Sequence, residues 1–303
     1  MPKFKVEESI DINATANKVR SAIQDYQQWP AWSPWLCMEP EASLQYEQTA
    51  ATIGHAYSWE GDMVGAGRME FAEIDGDIDR MDLAFLRPFK SQAKVEFETT
   101  ELDTENTRVT WRMDSSLPFF LFFMVGKMKS MIGMDYDRGL KMLKEYIETG
   151  TVTSKTEVAG IVEMPAIPYV GVSSESTLKN ISASMHKTIP KLAALSDGKT
   201  TQDVCGAIYS KMDITNRHCA YTVFAPVNAA DATGEIASCK ALKVVHTGDY
   251  QHLGTAWATA NTYQRHHKIK ANKNVHPFEI YTNDPKVVPA KDLVTEIYLP
   301  VNA

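Results

Sequence analysis

Phe278-Glu279-Ile280-Tyr281-Thr282-Asn283-Asp284-Pro285 is the stretch on which the fold of the second half turns. Its alternating, aromatic-rich start predicts a strand, and Asn-Asp-Pro predicts the turn that ends it. Around it stand Lys243-Val244-Val245-His246, a helix, and the later run Glu296-Ile297-Tyr298-Leu299-Pro300-Val301. This order has an echo upstream: Tyr169-Val170-Gly171-Val172, a helix, Gly206-Ala207-Ile208-Tyr209-Ser210 and Tyr221-Thr222-Val223-Phe224-Ala225-Pro226-Val227. The spacings nearly agree, 37 positions from Val172 to Tyr209 against 36 from Val245 to Tyr281. Both helices are amphipathic, through Leu178, Ile181, Met185, Ile189 and Leu192 in one and Leu253, Ala256, Trp257, Ala260 and Tyr263 in the other. Pro190 is expected to kink or end the first. One β-α-β-β unit cannot bury its helix and its sheet face alone, so two copies about a pseudo-twofold axis are expected, with a cleft at their seam.

The first half carries a different pattern. Residues 4–12 read as a strand, and Asn13 or Thr15 can cap a helix bearing Val19, Ala22, Ile23 and Tyr26. Trp29-Pro30-Ala31-Trp32-Ser33-Pro34-Trp35 predicts a tight, packed turn. A period of two then recurs: His55, Tyr57 and Trp59; Met69 and Phe71; Met81, Leu83 and Phe85; Ala93, Val95 and Phe97; Val109, Trp111 and Met113. Charged residues such as Glu70, Asp82, Lys94 and Arg112 fall between, which predicts an antiparallel sheet with one buried face. Met128, Met131, Ile132, Leu140, Leu143 and Ile147 then follow a helical period that stops near Gly150. The fold class is α+β: a sheet wrapped on one long C-terminal helix, followed by the duplicated β-α-β-β domain. Trp35, Trp59, Trp111 and the helix methionines can line an apolar pocket or simply fill a closed core.

Residues 149–155 are small, polar and β-branched and read as a linker, giving expected domains 1–150 and 155–303. At 303 residues the chain suits two domains of about 150 each. A net charge of -7 and the lack of a basic run argue against a nucleic-acid partner; Arg265-His266-His267-Lys268 reads as a wet helix end. Cys37, Cys205, Cys219 and Cys239 lack metal-ligand spacing and read as reduced thiols. The N-terminus lacks a signal-peptide core, and the most apolar stretch, 117–126, falls well short of the roughly 20 residues a bilayer span needs. A cytoplasmic location without a membrane span follows, and no cofactor or metal is expected.

The order of elements in residues 3–148, with the strings 29–35 and Met131-Ile132-Gly133-Met134-Asp135-Tyr136-Asp137-Arg138-Gly139-Leu140-Lys141-Met142-Leu143-Lys144, resembles the helix-grip fold of the START-like superfamily (SRPBCC, polyketide-cyclase-like). Residues 157–302 resemble the GyrI-like domain, found also as the effector-binding domain of AraC- and MerR-type regulators. The strings that carry this are His246-Thr247-Gly248-Asp249-Tyr250-Gln251-His252-Leu253, 278–285 and 295–301. The resemblance implies a cleft carboxylate at Glu279 among aromatic rings, with Tyr250, Trp257, Tyr209 and Tyr281 as candidate walls.

A carboxylate beside aromatic faces suits an amphipathic or cationic organic ligand, and burial would raise its pKa toward that of a base. The plainer alternative places Glu279 outward on an edge strand. Three functions are then weighed. The first is a ligand-binding sensor or sequestering protein without its own DNA-binding segment, whose partner is a separate regulator or a second copy. The second, which the resemblance implies, is a hydrolase of reactive small molecules with Glu279 as base and Tyr250 orienting substrate or water. The third is interaction with gyrase, disfavoured because the acids are spread along the chain.

Overall fold

The computed structural model describes residues 2–202 and 204–302. The chain divides into two compact units, Met1–Val152 and Thr153–Ala303. The first unit runs β1 (Lys3–Ile12), α1 (Ala16–Ile23), β2 (Ser43–Glu47), β3 (Ala56–Glu60), β4 (Ala66–Asp75), β5 (Ile78–Arg87), β6 (Ser91–Glu101), β7 (Thr107–Ser116) and α2 (Val125–Thr149). The strands form one antiparallel sheet of order β1-β7-β6-β5-β4-β3-β2, in which only β1 finds a partner distant in sequence.

Local chemistry sets these boundaries. Thr15 caps α1 by accepting the Lys18 amide, whereas Asn13 gives its own amide to Glu148. Tyr26 lies beyond α1, in the 3-10 turn Tyr26–Ala31, and is fully buried there with Trp29. Gly150, at φ +88°, closes α2 with the left-handed conformation that glycine adopts without strain.

The inner face of the sheet and α2 share one core. Trp111 stands at its centre, its ring 4.7 Å from Phe97 and 4.0 Å from Tyr136 of α2, both stacked. Gly139 explains how the helix comes so close, since a Cβ there would sit 2.8 Å from the Trp111 ring. Outside, charges ladder across the strands: Arg112 bonds Glu7, Glu96 and Glu98. Phe85 keeps the inner face it shares with Met81 and Leu83, lining a cavity beside Trp59, but it is less buried than they are. It pairs with Ser91 at the tip of the β5–β6 hairpin and is 36% exposed.

The second unit runs β8 (Lys155–Met164), β9 (Ile167–Thr177), α3 (Ile181–Ser196), β10 (Cys205–Asp213), β11 (His218–Pro226), β12 (Gly234–Ile236), β13 (Cys239–Thr247), α4 (Leu253–His266), β14 (Lys270–Ala271), β15 (Phe278–Tyr281) and β16 (Val294–Asn302). Its main sheet has the order β12-β9-β11-β10-β15-β16-β13-β8, which reads the same from either end. The copies are β9-α3-β10-β11 and β13-α4-β15-β16. They meet where β10 pairs with β15, Ala207 opposite Glu279. The flanking strands β8 and β12 lie outside the repeat read from the sequence.

Both faces of the central strands are buried. Ala207, Tyr209, Tyr221 and Val223 pack with Met185 and Leu192 of α3, and Leu242, Val244, Ile297 and Leu299 pack with Ala256 and Ala260 of α4. Ile208, Phe224, Phe278 and Tyr298 form a separate cluster on the opposite face. Pro190 does not end α3, which continues to Ser196. Its ring lies on the exposed side, where water can take up the carbonyl that loses its partner. The buried stripe of α3 is Met185, Thr188, Leu192 and Ser196, so Ile189, expected inside, is 37% exposed.

Candidate functional site

Glu279 sits on β15, at the centre of the sheet rather than at an edge, and shares the helix-covered face with Tyr281. Only 1% of its surface is exposed. Oε1 accepts the Tyr209 hydroxyl at 2.8 Å and the Tyr281 hydroxyl at 2.6 Å, and Oε2 accepts the Trp257 indole N–H at 2.6 Å. Tyr209 and Tyr281 hold corresponding places in β10 and β15. The antiparallel pairing therefore brings one phenol to each side of the carboxyl group.

The helices complete the enclosure. Trp257 of α4 lies edge-on to Tyr209 with ring centroids 5.1 Å apart. On the α3 side, the Met185 sulfur lies 4.0 Å from the Tyr281 hydroxyl. Tyr250, in the turn that leads into α4, packs edge-on against Tyr281 at 5.5 Å and so stands one ring further from the carboxyl. Sequence reasoning placed Met185 in the α3 stripe without linking it to the site. Its position in the helix facing Tyr281 was the available signal.

Burial pushes the Glu279 carboxyl above the usual carboxylate range, and hydrogen bonds from Tyr281, Trp257 and Tyr209 pull against that rise. Among the described residues, no cationic side chain contributes to this balance. Burial also pushes the Tyr209 and Tyr281 hydroxyls far up, reinforced by the neighbouring carboxylate, so both remain protonated donors. Tyr250 is pushed up to about 12, chiefly by burial. The site is thus an acidic group held in an apolar interior by neutral donors alone. Such a charge is costly without a counter-charge.

The first unit encloses a separate cavity of about 150 Å³. Trp35, Trp59 and Trp111 line it, with Tyr57, Met69 and Met113. The methionines come from the sheet rather than from the helix as expected, because α2 turns Ile132, Asp135 and Tyr136 toward the space. Its volume is below the 300 Å³ or so at which drug-sized ligand sites begin. Among the described residues, no three His, Cys, Asp or Glu side chains stand close enough to share a metal ion. Nor is any helix long and apolar enough to cross a membrane.

Comparison with known proteins follows the same division. Residues 3–148 match the family described as polyketide cyclase/dehydrase and lipid transport, and residues 160–302 match the GyrI-like small molecule binding domain. No curated protein matches the chain. Similar solved structures include SAV2435 bound to tetraphenylphosphonium, at 16% identity, 47% of this chain, 93% of that chain and TM-score 0.38. CalU16 from Micromonospora echinospora is 12% identical over 50% of this chain and 85% of its own, with TM-score 0.35. EcmrR, in a complex with DNA, is 16% identical over 58% of this chain and 65% of its own, with TM-score 0.40. The chain joins a member of the polyketide cyclase/dehydrase and lipid transport family, residues 3–148, to a member of the GyrI-like small-molecule-binding family, residues 160–302.

Proposed function

We propose that the second unit captures amphipathic organic cations, with Glu279 as the counter-charge and Tyr209, Trp257, Tyr281 and Tyr250 as the aromatic walls. The observation that carries this reading is the buried carboxyl group whose partners are all neutral. An organic cation supplies the missing charge, and aromatic faces add cation–π attraction. Both carboxyl oxygens already accept hydrogen bonds, so a ligand enters by displacing a donor. Trp257 and Tyr281 are the candidates, because each keeps part of its surface exposed. The protein then serves as a sensor or a sequestering agent, and any effect on transcription passes through a separate DNA-binding partner. The net charge of -7 favours that division of labour.

Calorimetry of the full chain with tetraphenylphosphonium, beside neutral triphenylphosphine oxide, tests the proposal. The cation is expected to bind and to raise the melting temperature, the oxide to do neither, and Glu279→Gln to lose at least about tenfold in affinity. Equal binding of both compounds, or an unchanged Kd in the variant, would overturn it.

The raised carboxyl pKa and the single hydrogen bond on Oε2 also fit a second role, Glu279 as a general base toward water in hydrolysis of a strained electrophile. Turnover of a reactive cyclopropane-bearing compound, lost in Glu279→Gln, separates this role from capture alone.

A further inference from the structure

We propose that the first unit docks on anionic membrane surfaces through a lip of exposed phenylalanines. After β7 the chain forms a 3-10 turn, Phe119–Met124, before entering α2. Phe119, Phe120, Phe122 and Phe123 are 77%, 72%, 62% and 70% exposed. The register brings more apolar surface to the same end. Ala93 pairs with Ser115, so the β5–β6 hairpin tip leaves the sheet where β7 ends. That tip presents Phe89, 80% exposed, and Leu86, 51% exposed. So much aromatic surface facing water marks a contact site.

Charge identifies the occupant. No acidic residue lies between Asp114 and Asp135, or between Asp82 and Glu96. Lys127 and Lys129 follow the phenylalanines, Lys90 follows Phe89, and the pairing of Lys3 with Ser116 puts a fourth lysine at this end. All four are exposed, and none forms an ion pair among the described residues. At the neighbouring β3–β4 turn, Glu60 pairs with Arg87, and Glu39, from the segment before β2, accepts the amides of Asp62, Met63 and Val64. Asp62 is exposed there. A second copy would set four uncompensated lysines against four more. An anionic lipid surface instead offers acyl chains to the rings and phosphates to the ammonium groups. The docking is peripheral, since the apolar segment is far shorter than a span.

Co-sedimentation of the full chain with phosphatidylcholine vesicles, with or without a third of phosphatidylglycerol, tests this. Binding is expected only with the anionic lipid, and it weakens as salt rises. The triple variant Phe119→Ser/Phe122→Ser/Phe123→Ser and the double variant Lys127→Glu/Lys129→Glu are each expected to lose at least about tenfold in partitioning. Failure of the wild type to bind overturns the proposal, as does wild-type binding by either variant. A dimer on size exclusion that the phenylalanine variant breaks, with no vesicle binding, assigns the lip to self-association and overturns it equally. The lysines lie outside the core, so the double variant decides the matter even if the triple variant misfolds.

Discussion

Ala207 and Glu279 face one another across the β10–β15 pair, at the axis that relates the two copies of the second unit. Corresponding positions of a duplicated element thus hold a methyl group and a carboxyl group. Directly paired residues have Cβ atoms about 5 Å apart, so two carboxylates here would repel each other inside the core. Ala207→Glu is therefore expected to destabilise the second unit at pH 7 by at least about 3 kcal/mol beyond Ala207→Gln, which matches its size. Denaturant unfolding of both variants measures the difference. It should narrow as pH falls, because a proton on one of the paired acids removes the repulsion.

Removing either phenol hydroxyl leaves Oε1 with one donor. Tyr209→Phe and Tyr281→Phe are each expected to cost about 1.5–3 kcal/mol, the range for a hydrogen bond to a charged group. Because both act on the same oxygen, their effects should not add in a double-mutant cycle followed by urea unfolding.

The raised Glu279 pKa fixes the sign of a pH effect. The folded state holds this proton more tightly than the unfolded chain does. Its contribution is most favourable below the ordinary carboxylate range, declines as pH rises through the raised value, and is constant above it. The difference in stability between wild type and Glu279→Gln should follow that course when melts are run across acid to neutral pH. Cation binding should show the opposite trend, strengthening with pH as the carboxyl group ionises. A flat stability difference would show that the group titrates normally, and a flat binding profile would show that its charge plays no part in capture.

Gly206 bears on the same seam. A Cβ at this position would lie 2.2 Å from the Glu279 carbonyl oxygen and 2.6 Å from the Phe224 ring. The first obstacle is backbone and cannot rotate away. Gly206→Ala should cost at least about 2 kcal/mol in unfolding free energy and weaken cation binding by shifting β15.

The duplicated order and the wrapped sheet of the first unit were legible because Trp111, Phe97 and Met81 alternate cleanly with charges. The direction of Glu279 was not legible from alternation. Phe278 and Ile280 on one face are as apolar as the partners of Tyr281 on the other, so a period of two names the faces without saying which holds the acid. Strand β8 escaped notice for the opposite reason. None of its residues is fully buried, and Glu157 and Glu163 give it the look of linker. Pro190 misled because its ring points to solvent, where a helix survives the missing hydrogen bond. The space among the tryptophans depends on how far α2 sinks into the sheet, a distance set by Gly139 that no period in the sequence records.

The placement of β8 also orders events during synthesis. Residues 155–164 open the second unit, yet their ladder is made with β13, residues 239–247. Some 75 residues must therefore leave the ribosome before this segment has a neighbour to bind. In that interval the first unit, whose last helix ends at Thr149, already has every strand and helix it needs. The nascent chain thus carries one finished domain and one waiting ribbon, and the charged residues of that ribbon, Lys155, Glu157 and Glu163, help keep it soluble until its partner arrives.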